Sequence, residues 1–252
     1  MKKFVYSIPL AILFILLEFQ GLGAVERIKL EKLELIKQFP LEEQGVFFKT
    51  TPKIVVDNSG NVFALDNRQH ALFKFDRNGN FIKKIGRKGQ GPGELQFPFF
   101  ISLGEKNIYI SDNTGISIFD ISGRYLNRFR VFRLRRAMAI FKNKVLLSES
   151  NSKHLITMFN QSGKVLDSFG DIYKVNHPLL KKSGRYALNV DLIINWGEIV
   201  CSDKYIYFIS SLFGDIFKFD QNGNLIKKKE IKEIDYLEKN RKLFFRFNHK
   251  RK

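Results

Sequence analysis

The motif Phe75-Asp76-Arg77-Asn78-Gly79 is the strongest regularity in this chain of 252 residues, because it recurs three times. Each later copy keeps the phenylalanine, an aspartate or asparagine after it, and the final glycine. The copies are Phe119-Asp120-Ile121-Ser122-Gly123, Phe159-Asn160-Gln161-Ser162-Gly163 and Phe219-Asp220-Gln221-Asn222-Gly223. Their glycines lie 44, 40 and 60 residues apart, and the longest interval holds an insertion over residues 171–193. Such spacing indicates a fold built from repeated units.

Each motif lies within a set of four short β-rich runs. In the first set the runs are 53–57, 62–66, 71–76 and 81–86, separated by Asn, Asp, Ser and Gly residues that favour tight turns. The corresponding runs are 99–103, 108–112, 116–120 and 124–129, then 137–141, 145–149, 154–160 and 164–169, then 198–202, 206–210, 215–220 and 224–230. Four-stranded units at a period of roughly 40–45 residues predict β-propeller blades. An irregular β-sandwich is the alternative, and four copies in register argue against it.

The sequence resembles the NHL-repeat type of six-bladed β-propeller, particularly its secreted bacterial members. Residues 84–95, which lead into Phe97-Pro98, carry the resemblance together with residues 61–66 and 73–76. It covers roughly residues 45–231 and is strongest in the first two units. The resemblance implies six blades, whereas the sequence shows four. We therefore expect an all-β fold with four recognisable blades of an incomplete six-bladed ring.

The missing blades leave two interpretations open, a true four- or five-bladed variant or a truncated chain. Residues 27–39 could form a strand that closes the ring, within an N-terminal segment at 25–44. The blades are expected at 45–231, followed by a basic tail at 232–252. An open ring would favour dimerisation, because it exposes a blade face.

Residues 1–24 have the order of a secretory signal peptide. Lys2 and Lys3 precede an apolar run over residues 4–17, and small residues follow at 21–24. The run is shorter than the ~20 residues that a membrane-spanning helix needs. The prediction is export to the periplasm or the outside of the cell. The alternative is an uncleaved membrane anchor at residues 4–17.

Composition excludes several classes of protein. A hydrophobic fraction of 44% with 26 phenylalanines is enough for a packed core and excludes general disorder. One cysteine excludes an internal disulfide framework and a Cys-based zinc site. The four histidines have no metal-ligand spacing, and no Gly-x-Ser-x-Gly motif occurs.

Polar residues that follow the second strand of the blades are the candidate ligand-binding residues. Such positions lie near one end of the channel of a propeller, where oxygen atoms from several blades can meet. The candidates are Asp66, Asn67, Arg68, Asp112, Asn113 and Glu149. No cofactor is expected, although converging oxygens could hold Ca²⁺. The alternative is that these Asp and Asn residues cap the turn to the third strand.

The chain is strongly basic, with 43 Lys and Arg against 25 Asp and Glu and a net charge of +18. A predicted basic patch on the link between the second and third blades consists of Arg128, Arg130, Arg133, Arg135 and Arg136. Basic patches attract polyanions. Because export argues against nucleic acid, the expected partners are an anionic glycan, a lipid headgroup or an acidic protein. A solvated surface without a dedicated partner is the alternative.

These patterns predict an exported, non-enzymatic propeller that acts as a binding or scaffolding module. A second hypothesis is a metal-dependent hydrolase, lyase or lactonase that uses Asp66, Asp112 and Glu149 in the channel. A third is a truncated fragment without independent function.

Overall fold

The computed structural model describes residues 43–131, 135–149, 153–174 and 194–231, and for residues 135, 136 and 149 the backbone alone. The chain divides into two units, Met1–Gln38 and Phe39–Lys252, and all described residues belong to the second. The predictions for residues 1–24, most of 25–44, most of the insertion at 171–193 and the tail at 232–252 lie outside the described residues. In the part that the structure describes, no helix has the length and apolarity to cross a membrane.

Sixteen strands in the described residues form four separate antiparallel sheets. Blade 1 consists of β1 (Lys53–Val56), β2 (Val62–Asp66), β3 (Ala71–Phe75) and β4 (Phe81–Ile85). Blade 2 consists of β5 (Phe100–Leu103), β6 (Asn107–Asp112), β7 (Gly115–Asp120) and β8 (Tyr125–Phe129). Blade 3 consists of β9 (Arg135–Phe141), β10 (Lys144–Glu149), β11 (His154–Phe159) and β12 (Val165–Asp171). Blade 4 consists of β13 (Gly197–Cys201), β14 (Ile206–Ser210), β15 (Asp215–Phe219) and β16 (Leu225–Glu230).

Every blade is a simple meander in which consecutive strands pair. The first strands of consecutive blades are neighbours, since β1 lies beside β5, β5 beside β9 and β9 beside β13. The all-β prediction with four propeller blades is therefore confirmed, and the strand ends differ from the predicted ones by one or two residues.

The recurrent Phe-Asp-x-x-Gly motif forms the turn between the third and fourth strands of each blade. In blade 1, Asp76 Oδ1 accepts hydrogen bonds from the N–H groups of Asn78 and Asn80 at 2.8 and 2.9 Å. Gly79 follows with a φ of 85°, which glycine adopts without strain. The same turn forms around Asp120, Asn160 and Asp220. The motif recurs because each hairpin needs this local hydrogen bonding.

The glycine of this turn also forms the joint between neighbouring blades. A Cβ atom at Gly223 would lie 2.5 Å from the ring of Phe169, which stands near the end of β12 in the preceding blade. The same close approach joins Gly123 to Ile85 and Gly163 to Phe129. We call these three contacts the glycine joints.

The apolar partners in the glycine joints share one register, since Ile85, Phe129 and Phe169 pair with Leu72, Ile116 and Ile156 respectively. In blade 4 the residue in that register is Lys229, which pairs with Ile216. The outer strand of blade 4 thus carries a charged residue where the other blades carry an apolar one.

The antiparallel order places two kinds of loop at opposite ends of the blades. One end, the connection end, holds the turns between second and third strands and the links from each blade to the next. The other, the turn end, holds the remaining turns, including the Phe-Asp-x-x-Gly turns. The predicted ligand-binding residues lie at the connection end.

Candidate functional site

Asp66, the last residue of β2, is fully buried at the connection end of blade 1. Its Oδ1 accepts hydrogen bonds from the N–H groups of Arg68 and Gln69 at 2.9 and 3.1 Å. The Thr50 hydroxyl donates to the same oxygen at 3.1 Å, and the Lys49 N–H donates to Oδ2 at 2.5 Å. The carboxylate thereby joins the segment before β1 to the turn between β2 and β3.

The electrostatic state of Asp66 follows from these contacts. Burial raises its pKa, but hydrogen bonds from Lys49, Gln69 and Thr50 outweigh that effect and hold the pKa below its ordinary value. Donors aimed at a carboxylate stabilise its ionised form. Asp66 is therefore a charged acceptor at neutral pH and is poorly suited to proton transfer.

Asp112 repeats this arrangement in blade 2, at the end of β6. Its Oδ2 accepts a hydrogen bond from the Gln96 N–H at 2.8 Å. Its Oδ1 accepts from the Thr114 N–H and hydroxyl at 2.8 and 2.6 Å and from the Gly115 N–H at 3.1 Å. The carboxylate joins the link before β5 to the turn after β6, as Asp66 does one blade earlier.

Both aspartates therefore cap the turn to the third strand, which was the alternative interpretation of their sequence pattern. All four of their oxygens already accept hydrogen bonds from protein donors. Among the described residues, no group of three or more His, Cys, Asp or Glu side chains could hold a metal ion. The side chain of Glu149 is not among those described, so its predicted place beside the other two carboxylates stays a prediction.

A contact between His70 and Phe97 connects blade 1 to blade 2. The Phe97 N–H donates to Nδ1 of the buried His70 at 3.0 Å, and the two rings meet edge to face at 4.7 Å between centroids. Both residues have left-handed backbones, with φ of 53° and 52°. Such a backbone is rare for bulky residues and costs free energy. Two such residues held against each other indicate a conformation that the surrounding structure enforces.

We give the name blade 1–2 site to Phe97 and to four other exposed side chains at the connection end of the two blades: Phe47, Asn67, Arg68 and Asn113. Phe47 and Phe97 are 66% and 45% exposed, which is unusual for rings of this size. Hydrogen bonds hold the backbone at two of these residues, because the Gln69 amide donates to the Phe47 carbonyl at 2.5 Å and the Asn113 N–H donates to the Gln96 carbonyl at 3.0 Å. The site thus combines two exposed aromatic rings, two amides and a guanidinium at the connection end of blades 1 and 2.

The glycine-rich link at 86–95 closes on itself beside the site. Glu94 accepts a hydrogen bond from the Gly91 N–H at 2.9 Å and forms an ion pair with Arg87 at 2.9 Å. The Gly91 N–H and Arg87 also hold the pKa of Glu94 below its ordinary value. The Glu94 carboxylate is therefore used to stabilise its own loop.

The predicted basic patch is divided by the structure. Arg128 donates to Ser117 Oγ and to the Gln90 carbonyl at 2.8 Å each, and also to the Glu94 carbonyl. This guanidinium fastens the glycine-rich link to blade 2. Arg130 is exposed. Arg133 lies outside the described residues, and Arg135 and Arg136 are described only as backbone of β9.

Blade 4 achieves the same fastening with a residue that the sequence pattern did not identify. Ser210 ends β14, and the buried carboxylate is Asp215 at the start of β15. Asp215 accepts a hydrogen bond from the Tyr173 hydroxyl and forms an ion pair with Lys228 at 2.9 Å. Asn195 exchanges two amide hydrogen bonds with the Tyr173 backbone, at 2.6 and 2.8 Å. In blade 4 the buried carboxylate thus follows the turn between the second and third strands, whereas in blades 1 and 2 it precedes that turn. In each case it binds the segment that leads into the first strand of its blade.

Sequence patterns also missed the aromatic part of the site. From the sequence, Phe97 belongs to the segment that carries the family resemblance and His70 has no metal-ligand spacing, so neither is predicted as a site residue. The usable signal was Phe47, Phe97 and Trp196, each placed shortly before the first strand of a blade. All three are exposed in the structure, and Trp196 is 44% exposed.

Four consecutive four-stranded meanders with adjacent inner strands define a β-propeller. Residues 23–186 match the model of a family described as a 6-bladed beta-propeller, and the chain belongs to this family. The described residues form four blades. None of the curated proteins matches the sequence.

Solved structures of similar backbone include two lyases and the protein BamB. A streptogramin B lyase is 14% identical with a TM-score of 0.48, over 71% of this chain and 54% of its own. A virginiamycin B lyase from Staphylococcus aureus is 13% identical with a TM-score of 0.49, over 72% of this chain and 55% of its own. BamB from Moraxella catarrhalis is 15% identical with a TM-score of 0.45, over 72% and 53%. The chain thus spans about half the length of these proteins, and at these values they add nothing on function.

Proposed function

We propose that this protein is a non-enzymatic, ligand-binding propeller whose ligand contacts the blade 1–2 site. One observation carries the proposal: exposed Phe47, Phe97, Asn67, Asn113 and Arg68 stand on a base whose buried carboxylates are used for structure. Aromatic and amide groups held on a rigid support are typical of binding sites. The proposal also includes export directed by residues 1–24 and an NHL-repeat type of propeller, as the sequence predicts.

The state of Asp66 favours binding over catalysis. A general acid or base works best with a pKa near the working pH, whereas hydrogen bonds hold the pKa of Asp66 below its ordinary value. Asp66 and Asp112 also fasten the links before β1 and β5, so their replacement would change the fold as well as the chemistry.

The test is a thermal-melting screen of the full chain against anionic and neutral polysaccharides, phospholipid vesicles and acidic peptides. A ligand that binds the folded state raises Tm by an amount that grows with the logarithm of one plus its concentration divided by Kd. We expect at least one class to raise Tm, and we expect Arg68→Ala and Asn113→Ala to reduce that rise. Arg77→Ala is the matched control, because it removes an exposed arginine from the turn end of the same blade.

Two outcomes contradict the proposal. A ligand that stabilises Arg68→Ala, Asn113→Ala and the unaltered chain equally binds elsewhere. Turnover of any polysaccharide or lactone by the full chain, lost in Asp66→Asn or Asp112→Asn variants that still fold, shows catalysis instead.

A further inference from the structure

We propose that the blade 1–2 site binds a saccharide that carries an acidic group, with Phe97 as the stacking surface and Arg68 as the partner of the anion. This inference rests on the proposed function and adds the chemical class of the ligand. Three observations lead to it: the enforced display of Phe97, the polar groups beside it, and the sign of the surrounding charge.

The display of Phe97 is built into the structure. Phe97 combines a left-handed backbone, with φ of 52°, and an exposed fraction of 45%. The Phe97 N–H bond to buried His70 and the edge contact between their rings hold that conformation. Strained residues held by their surroundings concentrate at ligand-binding sites. The ring is therefore a fixed surface rather than an unpacked residue of a loose loop.

The groups beside the ring match a sugar better than an aliphatic ligand. The face of an aromatic ring is negative, so it attracts the weakly positive C–H groups that one face of a pyranose presents. The side chains of Asn67 and Asn113 are exposed and offer both donors and acceptors to hydroxyl groups. The Asn67 Oδ1 lies 3.3 Å from the Thr50 hydroxyl, which shares its single proton between this oxygen and Asp66 Oδ1 at 3.1 Å. Phe47, 66% exposed, offers a second ring for a neighbouring residue of the chain of sugars.

The charge around the site selects an anionic ligand. Lys49, Arg68 and Lys88 are exposed at this end, whereas Asp66 and Asp112 are fully buried beneath them. Burial and then the charge of Lys88 lower the pKa of His70, whereas the charges of Asp112 and Asp66 raise it to a smaller extent. An arginine fork binds a carboxylate or sulfate with two parallel hydrogen bonds. Charge complementarity therefore favours an acidic saccharide over a neutral one.

Isothermal titration of the full chain with three polymers tests the inference. Polygalacturonate carries both sugar rings and carboxylates, dextran has the sugar alone, and polyglutamate has the carboxylates alone. We expect polygalacturonate to bind at least ten times more tightly than either of the others, with an affinity that falls as salt rises.

Variants assign that affinity to named residues. Phe97→Asn removes the ring, and asparagine tolerates the left-handed backbone, so the fold is retained. We expect Phe97→Asn to weaken polygalacturonate binding at least tenfold, and Arg68→Ala to weaken it and flatten its salt dependence. Leu225→Ala and Arg77→Ala are the controls, because they alter an equally exposed apolar and basic residue away from the site. Both controls are expected to bind as the unaltered chain does.

Equal binding of polyglutamate, or binding unchanged in Phe97→Asn, overturns the inference, since charge alone would then explain the interaction. Failure of all three polymers overturns it as well. Neither result removes the proposed function. That proposal fails if no ligand class in the melting screen depends on Arg68 and Asn113, or if turnover is found that Asp66→Asn or Asp112→Asn abolishes.

Discussion

Replacing Asp66 by alanine tests whether a buried carboxylate fastens the first blade. The substitution removes the acceptor of three backbone N–H groups, those of Lys49, Arg68 and Gln69. Hydrogen bonds to a charged group contribute about 1 kcal/mol or more each after exchange with water. We therefore expect the free energy of unfolding to fall by about 3 kcal/mol. For a chain of this size that lowers Tm by roughly 6–12 °C.

The matched control is Asp76→Ala, in a turn at the opposite end of the same blade. Asp76 also accepts two backbone N–H bonds, from Asn78 and Asn80, but these are local and exposed. Water can replace them, so we expect a loss of at most about 1 kcal/mol. Urea unfolding followed by circular dichroism measures both losses, and we expect both variants to share the same dependence of the unfolding free energy on urea concentration.

The pH dependence of Asp66 supplies an independent check. Because its pKa is lower in the folded state than in the unfolded chain, it contributes stability above the unfolded value of about 3.9. That contribution is lost as the pH falls through the folded value. Asp66→Ala and the unaltered chain should therefore approach each other in stability at acid pH. Equal losses in Asp66→Ala and Asp76→Ala at neutral pH, or a difference that persists unchanged in acid, would refute the reasoning.

Three further outcomes are expected. Gly223→Ala should lower the free energy of unfolding by about 2–3 kcal/mol, because a Cβ there meets Phe169 at 2.5 Å and φ is 83°. Gly45→Ala, with open space around the Cβ and a φ of 66°, should lower it by about 1 kcal/mol. Chemical unfolding of the two variants gives both values. Burial raises the pKa of the Cys201 thiol to about 12, so Ellman's reagent should react with it slowly in the folded protein and rapidly in urea. Burial and the charge of Lys88 lower the pKa of His70, so its contribution to stability should be lost as the pH falls below about 6.5, and His70→Gln should reduce that pH dependence in thermal melts.

The blades could be predicted from sequence because their turns are local. An Asp or Asn followed three residues later by glycine determines a hairpin by its own hydrogen bonds, and the flanking strands follow from it. The repeat also places Asp66 and Asp112 in equivalent positions, so their shared location at the connection end was predictable. Their role in fastening links was not, because the donors Lys49 and Gln96 come from segments 16 or 17 residues away.

The aromatic part of the site depends on contacts that no local pattern encodes. Phe97 is displayed because its N–H meets His70, 27 residues earlier and in another blade. Neither the left-handed backbone of Phe97 nor that of His70 follows from residue type, since such residues normally avoid it. Asp215 was missed for a related reason: the carboxylate of blade 4 lies on the other side of its turn, outside the register that the repeat defines.

Because of the three glycine joints, the stability of each described blade depends on its contacts with the adjacent blades. Each joint couples one blade only to the next, so the four described blades form a series of coupled units, in which a weakened joint divides cooperative unfolding at that point. In blade 4, Lys229 occupies the register position that holds the apolar partner of a glycine joint in the other three blades. Contacts on that side of blade 4 should therefore respond to ionic strength, whereas the three inner joints respond to the volume of the side chain that fills them.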